Sequence, residues 1–159
     1  MSRREKVDEI AGRICEAIIP VRGEYHLGRG NSIAICTLSS LDLLKKISAT
    51  PSLMDRVAIV GRLLSENKGI DTMIRFAMNH PQLELLVLCG KEVKGHLAGQ
   101  ALLALARHGV DSSGRIIGAL GPYPTLREAP HAVNAFRARI RIVDRVGTTD
   151  IERIGELIA

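Results

Sequence analysis

The segment Gly90-Lys91-Glu92-Val93-Lys94-Gly95-His96 has the residue types and the spacing of a loop that could bind an anion. Its two glycines bracket a loop between a predicted strand and a predicted helix, where backbone amides can approach a negatively charged group. A phosphate-binding loop of this spacing also needs Lys followed by Ser or Thr after its second glycine. His96 and Leu97 stand in those positions. The sequence therefore argues against a nucleoside triphosphatase.

His96 is the histidine best placed for chemistry, because it lies at a predicted strand-to-helix junction. There an imidazole can cap the helix, line a pocket or coordinate a metal. The residues alone leave these alternatives open, and a structural role is the commoner one. No pair of histidines has the spacing of a metal cage. The remaining histidines stand in turns or at helix ends and are interpreted as local structure: His26, His80, His108 and His131.

Two further loops hold residues that could contact a ligand. Ser65-Glu66-Asn67-Lys68-Gly69 provides an acid, an amide and a flexible turn, which can bind a polar ligand or cap the next helix. Residues 118–124 form an apolar, rigid loop that suits either a wall against a large flat ligand or ordinary loop packing. Gly28-Arg29-Gly30 lacks the third glycine of a dinucleotide-binding fingerprint and precedes a strand, so it is interpreted as a turn. Residue chemistry by itself leaves the ligand unnamed.

Short apolar runs alternate with amphipathic segments, and this alternation predicts the elements that carry the loops. Strands are predicted at residues 32–38, 56–60, 83–89, 115–118 and 140–146, and helices at residues 2–18, from 39, 70–79, 96–108, 130–139 and from 150. The pattern indicates an α/β Rossmann-like fold, with a mostly parallel sheet covered by helices on both faces. In such a sheet ligands bind beyond the carboxyl ends of the strands. The loops expected there are residues 38–40, 61–69, 90–95 and 119–127.

Length and composition restrict the class of protein. With 159 residues, 46% of them hydrophobic, we expect one domain over residues 19–159, preceded by an amphipathic helix over residues 1–18 that covers the sheet or docks a partner. The net charge of +5 is spread along the chain and 3% of residues are aromatic, which disfavours nucleic-acid binding.

Three cysteines without Cys-x-x-Cys spacing indicate buried thiols rather than disulfides or zinc ligands. Without a long apolar run or a secretory signal, we expect no direct membrane span and a cytoplasmic location.

A resemblance to a known family is carried by two segments. Cys89-Gly90-Lys91-Glu92-Val93-Lys94-Gly95-His96-Leu97-Ala98-Gly99-Gln100, taken with Glu66-Asn67-Lys68-Gly69-Ile70, closely resembles the A subunit of tetrahydromethanopterin S-methyltransferase. The resemblance covers roughly residues 18–155. Further fragments appear in the family's order and approximate spacing: Pro20-Val21-Arg22-Gly23-Glu24-Tyr25 with Gly28, Thr37-Leu38, Asn79-His80-Pro81, Gly109-Val110-Asp111 and Ile116-Ile117-Gly118-Ala119.

The resemblance implies that the Rossmann-like domain binds a cobalamin-type corrinoid, a cofactor that contains cobalt. It makes His96 the metal ligand, in the lower axial position. Glu66, on a neighbouring loop, is our candidate for the group that orients the imidazole. One protein ligand is enough because the corrin ring supplies four nitrogens. The cofactor-binding residues expected from the matching loops are Thr37, Leu38, Glu66, Asn67, Gly69, Gly90, Glu92, Gly95, His96, Gln100, Gly118 and Gly121.

The function implied by the resemblance is that of a methyl carrier. Proteins of this family take up a methyl group on cobalt from a methyl-tetrahydropterin and pass it to a thiol such as coenzyme M, together with partner subunits of a larger methyltransferase. Members in the membrane complex carry a carboxyl-terminal spanning helix that this sequence does not show, so we expect no direct membrane span, and the resemblance does not extend to membrane attachment or ion pumping. The alternative is a soluble repurposed homologue that acts as a corrinoid-binding or regulatory module without methyl transfer. An independent enzyme ranks last, because no nucleophile with a matching base is found.

Overall fold

The structure is a computed structural model, and it describes residues 25–159. Strands and helices alternate along this part of the chain: β1 (Tyr25–Leu27), β2 (Ile33–Cys36), α1 (Leu41–Ser48), α2 (Pro51–Met54), β3 (Ile59–Gly61), α3 (Lys68–Asn79), β4 (Leu85–Leu88), α4 (Ala98–His108), α5 (Pro130–Arg139), β5 (Arg141–Asp144) and α6 (Ile151–Leu157). None of the helices in residues 25–159 is long and apolar enough to cross a bilayer. The helix predicted at residues 2–18 lies outside the described residues.

The strands form one sheet with the order β1-β3-β2-β4-β5. β1 runs antiparallel to β3, and every other neighbouring pair is parallel. Taken in chain order, the parallel strands follow the order 2-1-3-4, as in flavodoxin-like doubly wound sheets. The winding reverses between β2 and β4, so the loops after these two strands border the crevice in which such folds bind ligands. The predicted α/β Rossmann-like fold is confirmed.

Helices cover both faces of the sheet, as predicted, because the strand side chains alternate between two apolar cores. On β2, Ile35 belongs to the core beneath α1 and α6, whereas Cys36 belongs to the core beneath α3, α4 and α5. Fully buried side chains of these helices fill the two cores: Leu44, Ile47 and Ile154 on the first side, and Ile74, Leu102, Leu105 and Phe136 on the second.

The predicted strand at residues 115–118 is wrong. Residues between α4 and α5 contribute no strand to the sheet and form only the isolated bridges Val110–Ile116 and Arg115–Thr125. Gly114 and Gly118 adopt φ of +84° and +83°, so one left-handed glycine directly precedes the predicted strand and another ends it, and both turn the chain. The segment folds on itself, and the loop at residues 119–127 does not follow a strand. The fourth parallel strand is β5 instead.

The buried cysteines agree with their sequence interpretation. Cys36 and Cys89 are free and buried, and burial raises the pKa of each thiol to about 12. Both thiols are therefore protonated at neutral pH and behave as small apolar side chains. Cys15 lies outside the described residues.

Candidate functional site

The loops after β2 and β4 are joined at the carboxyl edge of the sheet. The Ser39 hydroxyl donates to the Lys91 carbonyl oxygen at 2.7 Å, and the Lys91 amide donates to the Ser40 hydroxyl at 2.8 Å. Gly90 fits against the Thr37 carbonyl so closely that a Cβ would lie 2.1 Å from the oxygen. Thr37 and Leu38, both expected in the cofactor site, are fully buried beneath these loops.

Glu92 occupies the anion position that the glycine loop suggested. Its Oε1 accepts hydrogen bonds from the amides of Val93 at 2.8 Å and Gly99 at 2.9 Å, and its Oε2 accepts from the Gln100 amide at 2.8 Å. A carboxylate at this place caps α4 and complements the positive end of the helix. The chain itself therefore fills the place where a phosphate would bind, which gives a structural reason for the missing Lys-Ser/Thr signature.

His96 and Glu66 form the central pair of the candidate site. The ring Nδ1 of His96 lies 2.9 Å from Oε2 of Glu66. The Glu66 side chain is 1% exposed, whereas the His96 side chain is 51% exposed. Leu97, directly after the histidine, adopts a left-handed φ of +50°, a sparsely populated conformation for a residue with a Cβ. Strained backbone of this kind clusters at functional sites.

The charge state of Glu66 determines which ring nitrogen carries the proton. Burial opposes ionisation, but hydrogen bonds from the amides of Glu66 and Tyr123 and from the His96 ring outweigh it and hold the pKa of the carboxyl below its ordinary value. An ionised carboxylate only accepts hydrogen bonds, so Nδ1 of His96 is the donor. In the neutral ring Nε2 then keeps its lone pair, which is the state required of a metal ligand.

The loop at residues 118–123 lies against this pair, although no sheet strand leads into it. The Tyr123 amide donates to Glu66 Oε1 at 2.9 Å, and the Asn67 side-chain amide donates to the Tyr123 carbonyl at 3.0 Å. Gly121 lies so close to the His96 backbone that a Cβ would stand 2.3 Å from the carbonyl oxygen. The structure thus brings together four of the expected residues: His96, Glu66, Asn67 and Gly121.

Gln100 also holds this loop rather than facing away from it. Its Nε2 donates to the Gly118 carbonyl at 2.8 Å, and its Oε1 accepts from the Leu120 amide at 2.9 Å. Gly118 has a left-handed φ of +83° and is exposed beside His108. Gln100 and Gly118, both expected to bind the cofactor, are therefore connected to each other within the chain.

Gly69 and Gly95 have no hydrogen bond to the central pair. The Gly69 amide donates to the Ser65 hydroxyl at 2.8 Å at the beginning of α3, which is the helix-capping role that the sequence left open for this loop. Gly95 adopts φ of +81° directly before His96, with open space around the position of a Cβ. It supplies the turn that brings the chain to the histidine.

Asp71 is a contributor that the sequence did not reveal. It is 4% exposed, and its carboxylate accepts hydrogen bonds from the amides of Arg127 and Glu128 at 3.1 Å. It thereby ties the far end of the α4–α5 segment to α3. An acidic residue in the first turn of a helix ordinarily complements the helix dipole, so its sequence position carries no sign of this contact.

The His96 ring lies on an open surface and not in a closed cavity. A cavity of about 450 Å³ is lined by residues after β2 and β4, among them Ser39 and Lys91, and another of about 280 Å³ lies between α4 and the end of β5. His96 lines neither. Within residues 25–159 no three His, Cys, Asp or Glu side chains are gathered as a metal cage. The half-exposed His96 ring is therefore open to solvent at the surface.

The apolar side chains near the histidine are exposed. Leu120 is 74% and Tyr123 is 69% exposed, on the same loop that places Gly121 against His96. Exposed apolar side chains on a loop that contacts the His96–Glu66 pair make this loop a candidate ligand surface. The fold and the site together define a doubly wound α/β domain with a carboxylate-held histidine at the carboxyl edge of its sheet.

Comparison with known proteins gives the family. The family model for the A subunit of tetrahydromethanopterin S-methyltransferase matches residues 13–159. The chain is 34% identical over 148 residues to the A subunit of the putative methyltransferase Mtx of Methanosarcina barkeri, covering 92% of this chain and 71% of the relative. It is 38% identical over 143 residues to the second A subunit of tetrahydromethanopterin S-methyltransferase of Methanothermobacter marburgensis, covering 86% and 74%. It is 35% identical to the corresponding A subunit of Methanocaldococcus jannaschii, covering 87% of this chain and 56% of that relative. The chain belongs to the family of tetrahydromethanopterin S-methyltransferase A subunits.

Proposed function

We propose that this chain binds a cobalamin-type corrinoid through His96 and serves as a methyl-carrying subunit of a methyltransferase. The observation that carries the proposal is the half-exposed imidazole whose Nδ1 is held by the buried Glu66 carboxylate at 2.9 Å. A histidine that ligates a metal almost always donates its other ring N–H to a carboxylate or a carbonyl group. The pair has the arrangement that a single histidine ligand to a metal would need, with Nδ1 held and Nε2 open.

The surroundings of His96 fit a flat, largely apolar macrocycle. The corrin ring supplies four nitrogen ligands, so the protein needs to contribute only one. The exposed Leu120 and Tyr123 side chains would contact the edge or face of such a ring, where burial of their apolar surface favours binding. Gly121 lets the loop lie close to His96, because a side chain at this position would push the loop away from the histidine backbone.

The bound cofactor would supply a cobalt ion that takes up and gives up a methyl group. The chain's own residues hold and orient it: His96 presents the Nε2 lone pair, and Glu66 retains the proton on Nδ1. The proposed methyl donor is a methyl-tetrahydropterin and the proposed acceptor a thiol such as coenzyme M, a proposal that family membership supports. Partner methyltransferase subunits would bring these substrates, because no nucleophile with a matching base is found among the described residues at the site.

The test is to load the purified full chain with hydroxocobalamin, remove free cofactor by gel filtration and record visible spectra. The wild type is compared with His96→Ala and with His131→Ala, a matched variant of an exposed histidine at the start of α5. We expect wild type and His131→Ala to retain the colour with the same spectrum. His96→Ala should show a shifted spectrum and weaker retention, about tenfold or more in dissociation constant.

Each other outcome has a definite meaning. Colour retained by the His96→Ala variant with an unchanged spectrum would assign the metal ligand elsewhere. No colour retained by folded wild type would refute the corrinoid proposal. Retained colour without methyl transfer, when the partner subunits and both substrates are supplied, would favour a corrinoid-binding module that lacks the carrier function.

A further inference from the structure

The Gln100 side chain closes on two peptide groups of one loop. Its amide donates to the Gly118 carbonyl oxygen and accepts from the Leu120 amide, at 2.8 and 2.9 Å. Gln100 lies in the first turn of α4, four residues after His96. Residues 118–123 belong to no helix or strand, so such side-chain hydrogen bonds replace the backbone ladder that would hold a regular element. The side chain therefore fixes where the loop begins.

The other end of the same loop contacts His96 and Glu66. Beyond Leu120, Gly121 fits against the His96 carbonyl, and the Tyr123 amide donates to Glu66 Oε1 at 2.9 Å. The other oxygen of that carboxylate faces His96 Nδ1. A continuous set of contacts thus runs from Gln100 through the loop to Glu66 and to the ring.

We infer that Gln100 is a positioning residue, which acts through residues 118–123 to hold Glu66 and thereby fixes the proton on Nδ1 of His96. This role rests on the proposed function only where it concerns cobalt ligation. Its effect on the ring belongs to the cofactor-free chain as well. In this role Gln100 does not make the direct cofactor contact that the sequence had predicted, because its side-chain carbonyl oxygen and one of its N–H groups already form hydrogen bonds within the chain.

The physical reason lies in the two oxygens of Glu66. The carboxylate is fixed because one oxygen accepts from Tyr123 and the other from His96. If the loop moves away, the Tyr123 hydrogen bond is lost, and water can enter and compete for the carboxylate. The ring then no longer has a fixed acceptor at Nδ1, and the neutral imidazole becomes a mixture of its two tautomers.

The decisive measurement uses the full chain without cofactor. The ¹⁵N chemical shifts of the His96 ring, recorded at about pH 8 where an imidazole is ordinarily neutral, report which nitrogen carries the proton. The variants are Gln100→Ala, which removes both hydrogen bonds, and Gln100→Glu, which keeps an acceptor for Leu120. Arg137→Ala is the matched control, because Arg137 donates a 2.8 Å hydrogen bond to the Leu105 carbonyl near the other end of α4.

We expect wild type and Arg137→Ala to show His96 protonated at Nδ1. Gln100→Ala should show mixed tautomers, and Gln100→Glu should lie between them. Gln100→Ala should bind corrinoid about tenfold more weakly than the wild type. The dissociation constant of His96→Ala is the reference, because it shows how much of the affinity depends on His96. A Gln100→Ala chain that is folded and keeps the wild-type ring shifts would overturn the inference, as would equal changes in the Arg137→Ala chain. If the wild type binds no corrinoid, the proposed function fails, while the ring shifts still decide the role of Gln100.

Discussion

His96 Nδ1 and Glu66 Oε2 lie 2.9 Å apart although 30 residues separate them in the chain. Glu66 lies on the loop after β3 and His96 on the loop after β4, on either side of β2 in the sheet. The parallel order brings both loops to one edge. The buried carboxylate and the half-exposed ring are therefore a consequence of the strand order, and they give the domain a single oriented nitrogen at its surface.

Glu66→Gln should destabilise the domain and make its stability less sensitive to acid. Glutamine has one acceptor oxygen where the carboxylate has two, so either the Tyr123 amide or the His96 ring loses its acceptor, which costs about 1–3 kcal/mol in the free energy of unfolding. The pKa of Glu66 is lowered on folding, so its contribution is present above the ordinary value of 4.5 and is lost as the pH falls through the folded pKa. The measurement is urea unfolding of both chains at several pH values. The wild type should lose more stability on acidification than the variant does, and parallel curves would contradict this account.

The regular part of the fold follows from local patterns, which is why it was predictable. Apolar runs such as Ile33–Cys36 and Leu85–Leu88 must be buried on both faces, and this burial requires a parallel sheet between helices. His96 stood out because it follows a strand and a glycine loop. Glu66 lies on the neighbouring loop at the same edge, so its proximity could be proposed from the strand order, although the distance could not.

The irregular part could not be predicted in the same way. The run at Arg115–Gly118 looks like a strand because of its two β-branched residues, Ile116 and Ile117, whereas left-handed glycines directly before it and at its end turn the backbone. Gln100 and Asp71 bind peptide groups of the α4–α5 segment, 18 to 57 residues away in the chain. Contacts of this kind depend on tertiary packing and leave no periodic pattern in the sequence.

Gly121→Ala should destabilise the chain and disturb His96. A Cβ at this position would lie 2.3 Å from the His96 carbonyl oxygen and 3.2 Å from Glu66 Cγ, so backbone must move. The expected loss is about 1–3 kcal/mol, measured by thermal or urea unfolding. Gly155→Ala in α6 is the matched control, because its nearest neighbour would be at 3.4 Å and alanine favours a helix by up to about 1 kcal/mol. Equal effects of the two substitutions would show that the close approach has no consequence.

Glu92→Gln should weaken the start of α4. The carboxylate accepts three backbone amides, and an amide side chain would turn one of its own donors toward them. We expect a loss of about 1–3 kcal/mol in the free energy of unfolding, measured with urea. Glu84→Gln removes the same charge from an exposed position and should change stability by less than about 0.5 kcal/mol. A loss as large in Glu84→Gln would assign the effect to net charge instead of helix capping.

Leu120→Ser should weaken corrinoid binding and leave the fold intact. The side chain is 74% exposed, so serine removes little buried surface from the free protein. If the corrin ring covers part of Leu120, losing about 1 kcal/mol of apolar burial weakens binding by roughly fivefold, which equilibrium dialysis can measure. Leu27→Ser is the matched control, because Leu27 is 65% exposed on the edge strand β1 and its register partner is Ile59, within β3. Stability should stay unchanged in both variants, and affinity should fall only for Leu120→Ser. Unchanged affinity in the Leu120→Ser chain would place the ring away from the loop that Gly121 holds against His96.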